Sequence, residues 1–330
     1  MIQQTVARLL PLAPARQFWV VANEDLRAEI VKQLPRLNPA QVLAEPIGRN
    51  TAPAIGLAAF LLLRSDPRAV IGLFPSDHVI GDESRFRQEL ERGVEIASAG
   101  ENIVVLGVRP TRAETGYGYI EAGAPSQGGE ALRVRRFTEK PDSERARAFL
   151  SAGNYFWNSG MFLWSARTLV NALEELLPKT ADILKQIAAS YGTRNFPSTF
   201  KKLYPKCENI SIDYAVLEPR SAKGEKASNI FCLPADFGWN DLGSWTALHE
   251  HHRAKQRPQD GNLILGEGIF TLDAEQNYID ARGKFVAVVG VNNLVVVETD
   301  DALLITTLDR AQDVGKVVKH LDEKKLTKLT

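Results

Sequence analysis

Over its first two thirds the chain alternates short apolar runs with longer segments of helical period. Gln17–Ala22 (QFWVVA) reads as a buried strand, Glu24–Leu34 as a helix and Gln41–Ala44 as a short strand. Thr51–Arg64 has the period of a helix. Asn50 or Thr51 is its cap, and Pro53 sits in the first turn, where a missing N–H costs nothing. Val70–Phe74 (VIGLF) is a strand, Glu83–Ser98 an amphipathic helix and Ile103–Val108 (IVVLGV) another strand. Such alternation, with strands apolar throughout, predicts a largely parallel sheet covered by helices on both faces. Ile2, Val6, Leu9 and Leu10 follow helical spacing, so the chain opens inside a helix with no strand before it.

The middle is more mixed. Gly118–Glu121, Val134–Thr138 and Met161–Trp164 read as strands. Ala166–Leu177, Thr180–Tyr191, Ile212–Leu217 and Gly243–His252 read as helices. After a polar stretch with Pro258 and Gly261 the pattern changes to short β segments. These are Asn262–Leu265, Ile269–Leu272, Tyr278–Asp280, Phe285–Val289, Leu294–Val297 and Ala302–Ile305, closed by a Lys-rich helix over Ala311–Leu326. The expected division is residues 1–257 and a smaller β domain over 258–330.

Composition narrows the function. Among 330 residues, 40 Lys+Arg balance 40 Asp+Glu. A nucleic-acid binder usually carries a basic excess, so that class is not expected. The longest apolar run, Thr51–Leu63, is shorter than the roughly 20 residues of a membrane span. Two cysteines, Cys207 and Cys232, form no CxxC and no disulfide framework, and no secretory leader is evident. The cytoplasm is the expected compartment.

Candidate chemistry gathers where strands end, the usual ligand edge of such a sheet. Ser76, Asp77 and His78 follow VIGLF. Asp77 is a metal carboxylate or the cap of the next turn. Asp241, in DFGWNDLGSW, is a second carboxylate, and Mg²⁺ takes one or two carboxylates plus substrate phosphates. Glu45, Arg49 and Asn50 lie between a strand and a helix N-terminus, which favours anions; Glu45 suits the N–H edge of a purine. The same segment reads equally as a capped loop. In TGYGY, Gly116 and Gly118 allow close backbone approach. FTEKP ends a strand. Alternation there places Glu139 and Lys140 on opposite faces, one for hydroxyls and one for a phosphate, unless they are a solvated charge pair. Asn158 and Ser159 follow in NYFWNSG. His249-Glu250-His251-His252 has no common zinc spacing and reads as a solvated helix end.

Nine segments, in order from residue 3 to residue 305, resemble the sugar-nucleotide pyrophosphorylases, and within them the mannose-1-phosphate guanylyltransferases of bacteria. They are QQTVARL, EPIGRNTAPAI, PSDHVI, TGYGYIEAG, FTEKPD, NYFWNSGMF, SIDYAVLE, DFGWNDLGSW and VVVETDDALLI. The resemblance implies a Rossmann-like α/β nucleotidyltransferase domain with a mixed, mostly parallel sheet, then a left-handed β-helix-like domain. It implies transfer of GMP from GTP to mannose 1-phosphate, giving GDP-mannose and pyrophosphate. It puts Mg²⁺ on Asp77 and Asp241, the nucleotide near Glu45, Arg49, Asn50, Ser76 and Asp77, and the sugar phosphate near Gly116, Glu139, Lys140, Asn158 and Ser159. Lys140, Asp77 and Asp241 would carry the chemistry. The family's Gly-rich loop, GGxGTRLxPLS, and its first strand lie upstream of QQTVARL. They are absent from a sequence that starts at Met1, so impaired turnover is the expectation for this form. The alternatives are a non-catalytic sugar-nucleotide-binding or regulatory subunit and an enzyme for another hexose 1-phosphate. The apolar segments of the β domain point to a homodimer interface.

Overall fold

In the computed structural model, which describes residues 1–126, 128–129, 131–256 and 260–326, internal contacts divide the chain into Met1–Trp239 and Asn240–Thr330. The first unit runs α1 (Ile2–Leu9), β1 (Val20–Asn23), α2 (Arg27–Gln33), β2 (Val42–Glu45), α3 (Thr51–Ser65), β3 (Val70–Leu73), β4 (Val79–Ile80), α4 (Glu83–Ser98) and β5 (Ile103–Val108). It continues with β6 (Tyr119–Pro125), β7 (Leu132–Thr138), α5 (Ser143–Ala152), β8 (Tyr155–Ser165), α6 (Ala166–Leu176), α7 (Pro178–Ser190) and α8 (Phe196–Leu203). A π-helical turn, Asp213–Leu217, leads into α9 (Glu218–Ser221), and β9 (Ile230–Ala235) follows.

Six strands form one mixed sheet in the order β3-β8-β5-β9-β7-β6. The strands β3, β5, β9 and β6 run one way, while β7 and β8 run the other. Shared direction carries the parallel character. Only β5 and β9 are parallel neighbours within this sheet, because β8 inserts antiparallel between β3 and β5. β1 and β2 form a separate parallel pair. Among the described residues, neither β1 nor β3 has a strand on its other edge.

Apolar strands imply two covered faces, and β5 has both. Ile103 and Val105 pack with Leu57, Trp164, Leu173 and Leu184 in one core. Val104 and Leu106 pack with Phe86, Leu90 and Leu163 in the other. The helix stops follow local chemistry: Asn50 accepts from Thr51 N at the start of α3, and Asp142 accepts from Arg145 N at the start of α5, which ends on Gly153 at φ 75°.

The elements β8, β9, α5 and α8 differ from the sequence reading. β8 begins at Tyr155 rather than Met161, because Asn158 and Ser159 interrupt an apolar run that the backbone nevertheless continues. β9 carries Pro234, which masks it as a strand. That proline lies past the two residues paired with β7. α5 and α8 are short, at 10 and 8 residues, so too few turns repeat the apolar period to mark them.

β10 (Trp239–Asn240) ends where the second unit begins, and α10 (Trp245–Gln256) is that unit's first helix. Then come β11 (Leu263–Leu265), β12 (Ile269–Leu272), β13 (Tyr278–Asp280), β14 (Val286–Val289), β15 (Leu294–Glu298), β16 (Leu303–Thr307) and α11 (Val314–Glu323). A 3₁₀ stretch, Leu308–Asp313, replaces the start of the single helix expected from residue 311. Residues 257–259 of the expected polar linker lie outside the described residues.

Strands stack in parallel as coils. Leu263 pairs with Tyr278, 15 residues on, and Tyr278 with Val295, 17 further on. Ile269 pairs with Val286 on a second face. β16 then runs antiparallel to β15. Buried asparagines cross-link the coils. Asn277 Nδ2 donates to Asn262 Oδ1 at 3.0 Å and to Val291 O at 3.2 Å, and Asn277 Oδ1 accepts from Leu294 N at 2.8 Å. Gly266, at φ 132°, has no room for a side chain, since a Cβ would lie 1.9 Å from Ala281 O.

Candidate active site

Three of the expected residues, Glu139, Lys140 and Asn158, converge on the first unit's sheet, around the end of β7 and the start of β8. β7 stops at Thr138, and Lys140 adopts φ 44° just before Pro141. A left-handed conformation is costly for a residue with a Cβ. It corrects the strand-alternation expectation: Lys140 and Glu139 do not point to opposite faces, and Lys140 Nζ lies 3.3 Å from Glu139 Oε1. Lys140 is 59% exposed and Glu139 only 9%, so the ammonium faces solvent from above a buried carboxyl.

The other oxygen, Glu139 Oε2, is buried without a hydrogen-bond partner. It lies where a side chain on Gly118 would go: a Cβ there would be 2.5 Å from Glu139 Oε2 and 3.3 Å from Asn158 Cβ. Burial first, and the charge of Asp213 second, push the Glu139 carboxyl up to about 7, against the opposing pull of Lys140. Asp213 is pushed up as well, by burial.

Asn158 links these groups. Its Nδ2 donates to Asp213 Oδ1 at 2.9 Å, and its Oδ1 accepts from Gly160 N at 3.1 Å. The backbone N of Asn158 donates to Gly118 O at 2.8 Å. Gly116 is held by Glu114, whose Oε1 accepts from Gly116 N at 2.9 Å, while Arg112 pairs with Glu114 at 3.1 Å. Ser159 turns the other way. It is buried, and its Oγ donates to Leu106 O at 2.7 Å, so its hydroxyl belongs to the sheet interior.

The sequence does not mark Asp213, which joins this cluster through Asn158. It sits 55 positions beyond Asn158, and SIDYAVLE gives no local reason for a buried carboxylate. The π-helical turn that aims it is not written in an apolar period.

The nucleotide candidates are placed differently. Glu45 ends β2 and is buried, and its Oε1 accepts from the hydroxyl of Tyr204 at 2.5 Å. Burial pushes Glu45 up, and the hydrogen bond from Tyr204 opposes this. Arg49 Nη2 donates to Pro205 O. Asn50, at φ 64°, caps α3 through Thr51 N, and Ala52 N donates to Ile210 O. These two N–H groups of α3 are therefore already engaged.

Asp77 lies on the exposed loop between β3 and β4, with its side chain 74% exposed. Beside it, His78 Nδ1 accepts from the indole N–H of Trp239 at 3.1 Å. An indole N–H can only donate, so a neutral His78 carries its proton on Nε2, which lies 3.9 Å from Asp77 Oδ1. α1 supports the loop: Thr5 Oγ1 donates to Ser76 O at 3.2 Å and Arg8 Nη1 to His78 O at 3.1 Å. Asp241 belongs to the second unit, where its Oδ1 accepts from Gly243 N at 3.1 Å. Among the described residues no group of three or more His, Cys, Asp or Glu side chains is arranged to hold a metal ion. Asp77 is an exposed hard oxygen donor, of the kind Mg²⁺ takes together with phosphate oxygens. His249, in the second unit, is buried with Nε2 3.0 Å from Gly261 O.

A family profile described as "Nucleotidyl transferase" matches residues 1–257, and one described as "MannoseP isomerase/GMP-like beta-helix domain" matches residues 267–321. The chain belongs to the nucleotidyl transferase family. Among its relatives is a "Mannose-1-phosphate guanylyltransferase" of Salmonella muenchen, 38% identical across 97% of this chain and 66% of the relative. Another is the "Alginate biosynthesis protein AlgA" of Pseudomonas aeruginosa, 39% identical across 98% of this chain and 65% of the relative. The chain thus spans about two thirds of the length of these curated relatives. A solved structure from Thermus thermophilus, described as a "mannose-1-phosphate geranyltransferase", superposes with a TM-score of 0.78 at 32% identity, covering 97% of this chain and 89% of that one.

Proposed function

We propose that this chain transfers GMP from GTP to mannose 1-phosphate, giving GDP-mannose and pyrophosphate. The observation that carries the reading is the cluster of Lys140, Glu139 and Asn158 over the cradle at Gly118, an exposed cation of the kind that suits a phosphate beside a carboxyl and an amide of the kind that suit hydroxyls. The names of the relatives support guanine and mannose over other bases and hexoses.

In this reading Lys140 leaves Glu139 to hold the acceptor phosphate, and Glu139 Oε2 and Asn158 take sugar hydroxyls. Gly116 brings the backbone close to the sugar phosphate. A phosphate oxygen of mannose 1-phosphate attacks the α-phosphorus of GTP; the new P–O bond forms as the bond to the pyrophosphate oxygen breaks. Catalysis of this kind is mainly positioning and charge neutralisation. Asp77 would hold Mg²⁺, which, when bound, neutralises phosphate charge; Asp241, expected as its second carboxylate, belongs to the other unit. Ser76 and Asp77, on the exposed loop, and Asn50 would face the nucleotide. Glu45 and Arg49 would shape its pocket through Tyr204 and Pro205 rather than through free side-chain groups. Ser159 is left out of the sugar set because its hydroxyl is spent on Leu106. A boundary at 257/258, a cytoplasmic enzyme and a homodimer complete the reading. For the membrane, what stands is that no helix among the described residues is long and apolar enough to cross one.

The test is pyrophosphate release from GTP plus mannose 1-phosphate with Mg²⁺, with the sugar nucleotide identified by mass. GDP-mannose is the expected product. No product with this pair, or faster turnover with another hexose 1-phosphate or nucleotide, overturns the reading.

A further inference from the structure

We infer that Asp213 is a positioning residue of the sugar-phosphate site: its carboxylate locks the Asn158 amide so that Asn158 and Glu139 present a fixed hydrogen-bond pair to neighbouring hydroxyls of the hexose. The inference rests on the functional reading above for the identity of the sugar, but not for the lock itself.

A primary amide looks much the same in either orientation, so its direction must be set by its neighbours. Here both ends are set. A backbone N–H, from Gly160, can only donate, and it fixes Asn158 Oδ1 as an acceptor at 3.1 Å. With Oδ1 so engaged, Nδ2 is the donor end of the Asn158 amide, and Asp213 Oδ1 accepts from it at 2.9 Å. One amide proton is then left over, and its direction is determined by the other bonds. Glu139 Oε2 is unpartnered, and it and the Cβ of Asn158 both border the space over Gly118.

Asp213 is itself held. It opens the π-helical turn, whose preceding residue, Ile212, donates its N–H to Thr51 Oγ1 at 2.9 Å. Its carboxylate also accepts from Ser211. Single π-turns of this kind recur where a helix must aim one side chain. Replacing Asp213 by Asn removes the carboxylate. The substituted amide would offer a neutral acceptor in place of a carboxylate, so that, although the Gly160 N–H still orients Asn158 Oδ1, the bond holding Nδ2 would weaken.

The experiment compares wild type, Asp213→Asn, Asn158→Ala and the double variant. The side-chain amide signal of Asn158, identified by its loss in Asn158→Ala, is followed by ¹H–¹⁵N NMR together with steady-state kinetics. The expected wild-type signal is shifted from the bulk of Asn amides and slow to exchange with water, and Asp213→Asn moves it toward the bulk and speeds its exchange. Asp213→Asn should raise KM for mannose 1-phosphate about 10- to 100-fold, the size of a lost charged hydrogen bond. KM for GTP should stay within about threefold, and the double variant should be no worse than Asn158→Ala alone. An unshifted, fast-exchanging wild-type Asn158 signal overturns the lock. So does an equal rise in both KM values with a lowered Tm, or full additivity in the double variant. If wild type does not turn over GTP and mannose 1-phosphate, the functional reading falls, and the amide signal still decides Asp213.

Discussion

Glu139 shows how one residue can tie stability to pH. Its carboxyl titrates near 7 in the folded chain, against an ordinary value of 4.5. Between those two values the folded chain keeps a proton that the unfolded chain has released. Folding stability attributable to this group therefore falls as pH rises from 4.5 to 7 and is level above that. The expected loss is on the order of 3 kcal/mol, and Glu139→Gln should abolish it. Urea unfolding of both proteins at about pH 5 and about pH 8, either side of most of that window, checks this: the wild type should lose more stability than the Gln variant. Equal losses would show that the carboxyl is not perturbed. At this scale the sequence was informative about residue type and poor about direction. FTEKP and NYFWNSG marked Glu139, Lys140 and Asn158, but strand alternation separated two side chains that a left-handed Lys140 brings together. Ser159 and Glu45 carry suitable atoms whose hydrogen bonds turn inward, and only packing reveals that.

Among the elements, those with a full apolar period were the most legible. Glu83–Ser98 and Ile103–Val108 are predicted to the residue, because a single face or a continuous buried run marks them. β9 and the first half of β8 were hidden by Pro234 and by Asn158-Ser159, polar or strand-breaking residues that tertiary pairing overrides. The coils of the second unit were legible as strands, but the ladder that joins them was not. Asn277 is fully buried and its side chain makes three bonds across coils. Asn277→Ala leaves Leu294 N and Val291 O without those partners and should cost about 2–4 kcal/mol. Hydrogen exchange is the direct measurement. Amides of residues 278–280 and 294–297 should exchange faster in the variant, while those of β5 and β9 stay protected. Unchanged protection in β13 and β15 would mean that strand pairing alone holds the coils.

For the whole molecule, the zero net charge says nothing about phosphate binding, which would rest on a single exposed ammonium above a buried carboxyl. The second unit tells more. Phe270, Phe285, Val289, Leu303 and Ile305 are each at least half exposed, a concentration of large apolar side chains on a small β unit. A homodimer would cover such a surface. Sedimentation velocity at micromolar concentration should report twice the chain mass for wild type and a monomer for Phe285→Asp or Ile305→Asp. A monomeric wild type would refute the dimer.

The stacked coils set a rule for how this unit can change in length. Each turn of backbone returns to the same face after 15 or 17 residues, the first of these steps matching the spacing of the buried Asn262 and Asn277. Length is therefore quantised. A whole coil inserted between β13 and β15 adds one rung and one asparagine and leaves every neighbour in register. A single residue deleted within a strand shifts all later side chains to the opposite face. Comparable proteins should differ from this one here by complete turns, or by residues confined to the corners between strands.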